Sequence, residues 1–161
     1  VESVAVAVRL YGPDGSIAAE GRAFVARDLI PPGEKGPFAV AFTQPPEFFP
    51  GYEVIVISAF PAHSPSALAH SLVLKEHSWE RGPGDFYTVK GVVLNAGEKA
   101  VGDVNVVVVA YDASEKVVAL KKVTPLKDFL KPGEGSEFYL TFFPAGNPPV
   151  TYTLYAQGII P

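Results

Sequence analysis

The chain contains no cysteine and no methionine, although it is 161 residues long. Without cysteine it can form no disulfide bond, bind no metal through thiolates and use no thiol nucleophile. The same absence leaves the redox compartment undetermined. Because methionine is missing even at position 1, we expect a processed or trimmed start, either after a removed signal peptide or at the edge of an expressed fragment.

Basic charge and long apolar runs are also scarce. The formal net charge is −4 at pH 7, and neither half of the chain carries the positive patch that a phosphate backbone requires. No apolar run approaches the roughly 20 residues of a membrane-spanning helix. We therefore expect no nucleic-acid partner and no direct membrane insertion in this form, while anchoring through a removed N-terminus stays open.

What the chain does contain is an internal repeat. Shifted by 100 residues and without a gap, positions 1–61 overlay positions 101–161 with 14 identical pairs. The identities fall on alternating apolar positions, such as Val8/Val108, and on turn residues, such as Gly33/Gly133. Alternation and turn chemistry are the features by which a β-domain specifies its register, so the repeat indicates architecture and not chemistry.

Each copy predicts the same order of strands. A period of two over Val4–Leu10 and its copy predicts a strand, and the copy is apolar on both faces, which is typical of a central strand. Proline followed by glycine predicts a type II turn at 32–33 and 132–133. Further strands are predicted in pairs, at 17–25 and 117–123, at 38–42 and 138–142, and at 52–60 and 152–160. Short strands separated by turns favour antiparallel β-sandwiches.

The two copies differ in what precedes them. Strands predicted at 72–74 and 86–94 lead into the second copy, whereas the first has no such pair. We therefore predict a first, incomplete repeat over 1–62, a linker over 63–71 and a complete second repeat over 72–161.

The second copy resembles a known family. Phe86–Gly97, with its Gly91 and Asn95, is followed by Val104–Asp112 and by the turn Pro132–Gly133 before Phe138. This order resembles the FxLYD family of bacterial immunoglobulin-like domains over about residues 72–160. The resemblance implies tandem immunoglobulin-like sandwiches, the first lacking its N-terminal strands, in an envelope or secreted bacterial module with no catalytic residues to carry over. The first copy departs from the motif, because Gly12 stands where the motif has aspartate.

Catalytic and metal-binding residues are not indicated. His63, His70 and His77 are spaced by seven, which brings imidazoles together only on a continuous helix, so we interpret them as an exposed linker row. Aspartates such as Asp14 and Asp112 lie in turns, where they bond the local backbone. Glu34 and Glu134 are interpreted as solvated turn residues. We expect no enzyme activity, no cofactor and no metal.

Aromatic and branched residues of the first copy are the candidates for a partner-binding surface. Phe48 and Phe49 lie in a loop between strands, where sandwich domains commonly carry recognition. The alternative is that they cap their own core or pack against the other domain. Ile55 and Ile57 make the last strand of the first copy apolar on both faces, which is typical of a covered strand or an interface.

Three kinds of segment could complete the first copy. They are upstream residues that were removed or are disordered, a strand exchanged in a homodimer, and a protein partner that adds a strand. We favour upstream residues, with strand exchange as the alternative that a doubled molecular mass would support.

Two function classes follow. The first is a non-catalytic envelope or secreted β-sandwich module that acts as a spacer or protein-binding unit. The second is an accessory domain pair of a larger secreted enzyme that contacts carbohydrate or a partner through aromatic loops. A stand-alone hydrolase would require activity that depends on His63, His70 or His77. We expect an extracellular or cell-envelope location, and the upstream coding sequence would discriminate the first two classes.

Overall fold

A computed structural model describes residues 1–63 and 71–161. Within these residues the chain forms strands and no helix, and the strands make three antiparallel sheets of three strands each. The predicted all-β class is therefore confirmed. The strands are β1 (Glu2–Tyr11), β2 (Ile17–Phe24), β3 (Gly51–Phe60), β4 (Leu72–Arg81), β5 (Tyr87–Asn95), β6 (Gly102–Tyr111), β7 (Val117–Val123), β8 (Gly135–Phe142) and β9 (Thr151–Ile159).

The chain divides into two compact units, Val1–His63 (unit 1) and Ser64–Pro161 (unit 2). The predicted linker over 63–71 falls mostly on residues 64–70, which lie outside the described residues.

Unit 1 contains one sheet, in the order β2-β1-β3. The alternation in β1 puts Val6, Val8 and Leu10 on one face of the sheet, and all three are buried. Across the strands, Val8 lies opposite Gly21 on β2 and Val54 on β3. This face is termed the inner face, because its counterpart in unit 2 lines the core.

Unit 2 is sandwich-like, with sheets in the orders β4-β5-β8 and β7-β6-β9. β4 lies against β9 and β7 lies against β8, so the two sheets face each other. β6 is the central strand of its sheet, as predicted, and Val107 on its other face is also fully buried. Side chains from both sheets form the hydrophobic core, among them Val89, Val93, Val104, Val106, Val108 and Phe138.

The end of β5 is tied to its surroundings by one buried amide. The Asn95 side chain donates to the carbonyl oxygens of Lys99 and Leu130, at 2.8 and 3.0 Å. Its oxygen accepts from the Gly97 amide at 3.0 Å and from the Ser71 hydroxyl at 3.1 Å. Because a buried amide must be satisfied, this network fixes the connection from β5 towards β6.

The turns form largely as predicted. The Asp14 carboxylate accepts from the Ser16 amide at 3.0 Å, and the Asp112 carboxylate accepts from the amides of Ser114 and Lys116. Gly33 and Gly133 have φ of 79° and 75°. The predicted Pro-Gly turns require this left-handed conformation, which glycine adopts without steric cost.

Glu34 and Glu134 do more than occupy a solvated turn. Glu34 forms an ion pair with the buried Arg27 at 2.6 Å, and Glu134 forms one with Lys127 at 2.5 Å. Residues 27 and 127 are equivalent in the repeat, so both units retain a cation that holds the Pro-Gly turn. The prediction missed these ion pairs, because basic residues at 27 and 127 carry no local signal of a partner seven residues away.

One predicted strand is wrong. Residues 38–42 form no strand, although the equivalent residues 138–142 belong to β8. β8 is hydrogen-bonded to β5, with Phe138 opposite Gly91, and the described part of unit 1 contains no equivalent of β5. A strand needs a neighbour to satisfy its backbone groups, so the same apolar alternation without that neighbour remains a loop.

Candidate binding surface

The inner face of unit 1 leaves apolar side chains of β3 exposed. Tyr52, Val54 and Val56 alternate along this strand and are 69%, 43% and 61% exposed. Their neighbours across the sheet are the buried residues Leu10, Val8 and Val6 of β1. The surface made by Tyr52, Val54 and Val56 is termed the open face. Its side chains continue the apolar layer of β1 outwards to the edge of the sheet.

The same positions of unit 2 are covered. Tyr152, Leu154 and Ala156 of β9 are half-buried and pack against the hydrophobic core of that unit. The strand that lies over β9 is β4. The structure of unit 2 therefore shows what kind of element covers this face when the sandwich has both sheets.

The cover in unit 2 is a continuous ladder of aromatic rings. Tyr152 lies against Trp79, with ring centroids 5.4 Å apart. Trp79 stacks on Tyr87 at 5.4 Å, and Tyr87 stacks on Phe142 at 5.9 Å. The two middle rings come from β4 and β5, whereas the two end rings come from β9 and β8. Such ring pairs contribute about 0.5–1.5 kcal/mol each beyond the area that they bury.

His77 of β4 also contacts Tyr152. Its Nδ1 lies 2.9 Å from the Tyr152 hydroxyl, and the two rings meet edge to face. Burial raises the pKa of Tyr152, so its hydroxyl stays protonated under ordinary conditions. The interpretation of His77 as a linker residue is wrong, because β4 extends to Arg81 and includes it. Its contact is with a residue 75 positions away, which spacing could not reveal.

Unit 1 retains the two end rings of this ladder. Tyr52 and Phe42 are identical to Tyr152 and Phe142 and stand at the same positions of the repeat. The middle rings have no counterpart in the described part of unit 1, because they belong to the hairpin that precedes the second copy. The inner face of unit 1 thus carries Tyr52 and Phe42, whose counterparts in unit 2 are connected through Trp79 and Tyr87.

The inner face of unit 1 is covered on one side only. A β-carbon placed on Gly21 would come within 2.4 Å of Val40 Cγ1 and 3.2 Å of Phe42 Cε1. Val40 and Phe42 therefore lie directly on β2. They stand where Leu140 and Phe142 of β8 cover the core of unit 2. The β2 side of the sheet is closed by residues 37–42, whereas the β3 side is open.

The other face of the unit 1 sheet carries paired polar groups and also the exposed Phe24. Arg9 pairs with Glu20 at 2.8 Å, and the Tyr11 hydroxyl donates to Glu53 at 2.7 Å. These contacts lower the pKa of Glu20 and raise the pKa of Tyr11, since each favours the form that makes the bond. Three adjacent apolar side chains are exposed on the inner face, whereas the charged groups of the other face are paired with each other.

The predicted partner-binding residues are not part of the open face. Phe48 and Phe49 are exposed in the loop that leads into β3, with Phe48 at 66%. Ile57 is exposed at an irregularity in the pairing of β1 with β3. Ile55 is half-buried opposite Ala7, on the face opposite to Val54 and Val56.

Sequence reasoning missed Tyr52, Val54 and Val56 as surface residues. Their alternation marks them as inner residues of a sandwich strand, and they do lie on the inner face. A signal was available, however. The first copy lacks the counterpart of β4 and β5, and the residues that such a hairpin would cover are those on the inner side of its last strand.

The remaining titratable groups do not converge on one point. His63 is exposed and pairs with Glu2, whereas His70 lies outside the described residues. Over residues 1–63 and 71–161, no group of three or more histidine, aspartate or glutamate side chains could hold a metal ion. Those same residues include no helix long and apolar enough to cross a membrane.

A cleft of about 330 Å³ lies on the sheet β4-β5-β8 of unit 2. Two of its polar lining groups have partners within the unit. Lys90 pairs with Glu80 at 2.7 Å, and the exposed Tyr139 accepts from Thr141 at 3.3 Å, a bond that lowers the pKa of the tyrosine. The other lining residues are Glu76, Gly91, Val92, Leu126, Glu137 and Phe138.

Comparison with known proteins gives no relative. The chain matches no protein-family model, no curated protein and no solved structure.

Proposed function

We propose that this chain is a non-catalytic, immunoglobulin-like tandem module of a bacterial envelope or secreted protein, and that unit 1 binds a protein partner through its open face. The observation that carries the proposal is the exposure of Tyr52, Val54 and Val56, at positions whose counterparts in unit 2 pack against a core. The proposal holds equally for a free-standing module and for an accessory region of a larger secreted enzyme.

Energetics support a binding role for this surface. Complete burial of a valine or a comparable side chain stabilises a protein or a complex by about 1.5–3 kcal/mol. Three such residues alternate along one strand and offer an exposed apolar surface of the kind that marks interaction sites. Tyr52 at one end of the face is of a residue type that often carries binding energy in protein interfaces.

Several carboxylates of the chain have structural roles. Asp14 and Asp112 hold turns, while Glu34 and Glu134 hold the Pro-Gly loops through ion pairs. Each of these carboxylates is engaged by neighbours of its own unit. The open face itself is apolar, which fits a polypeptide partner better than a charged small molecule.

Site-specific photocrosslinking tests the proposal. A benzophenone amino acid replaces Tyr52 in the full chain, which is then irradiated with the envelope and secreted fractions of the producing organism. The matched control carries the same group at Tyr139, which is 65% exposed in unit 2, against 69% for Tyr52. We expect a discrete polypeptide adduct from position 52 and none from position 139, and we expect Val56→Asp to abolish the adduct.

Equal yields of adduct from both positions would indicate nonspecific crosslinking by an exposed ring. That result, or no adduct from position 52, contradicts the proposed function.

A further inference from the structure

We infer that the occupant of the open face is a β-hairpin of another polypeptide, built like β4–β5 and carrying two aromatic rings at diagonal cross-strand positions. This inference rests on the proposed function and deepens it by naming the structure of the partner segment. Unit 2 serves as the internal template, because it has the same sheet with the cover in place.

The first argument is the gap in the aromatic ladder. In β4–β5, Trp79 lies opposite Val89 and Arg81 lies opposite Tyr87, so the two rings stand diagonally across the strand pair. Diagonal neighbours on one face of a hairpin lie close enough for aromatic rings to touch. A hairpin seated on unit 1 in the same way would place two rings between Tyr52 and Phe42.

The second argument is the loop at 37–42. In unit 2 the equivalent residues 137–142 belong to β8 and pair with β5 from Tyr87 to Val92. Phe38, Val40 and Phe42 are half-buried while Ala39 and Ala41 are exposed, so the segment already has the alternation of a strand. An incoming hairpin would supply the missing neighbour, and main-chain hydrogen bonds to 38–42 would add to the apolar contact.

The third argument concerns the source of the hairpin. A second copy of this chain could offer only its own β4–β5, whose Val89 and Val93 have no exposed surface. Their withdrawal would open the core of unit 2 and create cavities that cost several kcal/mol. A hairpin that is not already part of a closed sandwich can be given without this cost, so we assign the face to a different polypeptide. A form of the protein that begins further upstream and no longer binds the hairpin probe would assign the face to the same protein instead and would overturn the inference.

The chain itself provides the probe. A synthetic peptide of residues 72–95, closed by a disulfide between cysteines added at its two ends, reproduces β4–β5 in a preorganised form. Its fluorescent derivative is titrated against the full chain and followed by anisotropy. The control peptide has the same closure and carries Trp79→Ala and Tyr87→Ala. We expect the intact hairpin to bind at least tenfold more tightly than the control peptide, because it alone supplies the two rings.

Two protein variants locate the binding site. Val56→Asp puts a charge on the open face, whereas Val117→Asp makes the same change at a valine of unit 2 that is 51% exposed, against 61% for Val56. We expect Val56→Asp to weaken binding at least tenfold and Val117→Asp to leave it unchanged. Tyr52→Ser, which introduces no charge, should also weaken binding.

Several results would overturn the inference. The first is that the intact peptide does not bind, and the second is that the control peptide without the two rings binds equally well. The third is that Val56→Asp does not change the affinity, as expected if the peptide exchanged with β4–β5 of unit 2. A mass near twice the 17.1 kDa of the chain that returns to monomer in Val56→Asp would assign the face to a second copy and would also overturn it.

The two proposals can fail separately. If position 52 crosslinks to a polypeptide but the hairpin peptide does not bind, the partner has another structure and the proposed function stands. If the peptide binds but no polypeptide is crosslinked in the natural fractions, the proposed function fails.

Discussion

Single residues show that the two copies stabilise the same turn with side chains at different positions. After β1 the turn is held by Asp14, and after β6 it is held by Asp112, two positions earlier in the repeat. The repeat therefore conserves the turn and not the residue that caps it. Asp112 is buried and also accepts from the Asn147 side chain at 2.9 Å, so it ties the turn to the loop before β9.

Asp112 makes the stability of unit 2 depend on pH. The hydrogen bond from Asn147, together with those from the backbone, holds the pKa of Asp112 below its ordinary value of 3.8. A carboxylate whose pKa is depressed in the folded state stabilises it above the unfolded pKa, and this contribution is lost as the pH falls through the folded pKa.

We expect Asp112→Asn to lower the melting temperature at pH 7, with a gap to the parent chain that closes as the pH falls below 3.8. Thermal melts between pH 7 and pH 2 measure this gap. Asn147→Ala removes the strongest cause of the depressed pKa. When both proteins carry Asn147→Ala, the difference in melting temperature caused by Asp112→Asn should be smaller at pH 7. A gap that stays constant over the whole pH range would contradict this role of the carboxylate.

Turn residues could be predicted because their signals are local. Asp14 lies two residues from the amide it accepts from, and the positive φ of Gly33 follows from its place after proline. The contact of His77 with Tyr152 could not be predicted, because it joins two strands of different sheets that are distant in sequence.

Strands depend on neighbours that the local pattern does not contain. Residues 38–42 and 138–142 share two phenylalanines and the same alternation, yet only the second segment is a strand. The alternation records which side chains face the core. Whether the backbone forms a ladder is decided by β5, which has no counterpart in the described part of unit 1. This is why the period of two predicted the strand correctly in one copy and wrongly in the other.

The last strands of the two units should respond differently to the same substitution. Val54 of β3 and Leu154 of β9 are equivalent, but Leu154 packs against a core and Val54 is exposed. We expect Leu154→Asp to destabilise unit 2 by about 3 kcal/mol or more, because a charge enters an apolar site. Val54→Asp should change the stability of unit 1 by no more than about 1 kcal/mol.

Urea unfolding measures both effects. Trp79 is the single tryptophan and lies in unit 2, so its fluorescence follows that unit, whereas far-UV circular dichroism follows the whole chain. A loss in Val54→Asp as large as the loss in Leu154→Asp would contradict the open face.

For the whole molecule, the repeat has produced one sandwich-like unit with two sheets and one unit with a single sheet. The sequence predicts an incomplete first repeat, because the strand pair before the second copy has no equivalent before the first in this chain. It pointed to Phe48, Phe49, Ile55 and Ile57 as binding residues, and these stay predictions. The structure adds Tyr52, Val54 and Val56, whose exposure follows from the missing cover and not from their own pattern.

The central claim, that unit 1 is completed by a hairpin, is tested most directly by amide hydrogen exchange of residues 38–42. Exchange is followed in the full chain with and without a saturating amount of the closed 72–95 peptide. The account predicts that these amides exchange at least tenfold more slowly in the complex, since the loop becomes a strand paired with the hairpin. Unchanged exchange at 38–42 under saturation, or protection confined to unit 2, would contradict it.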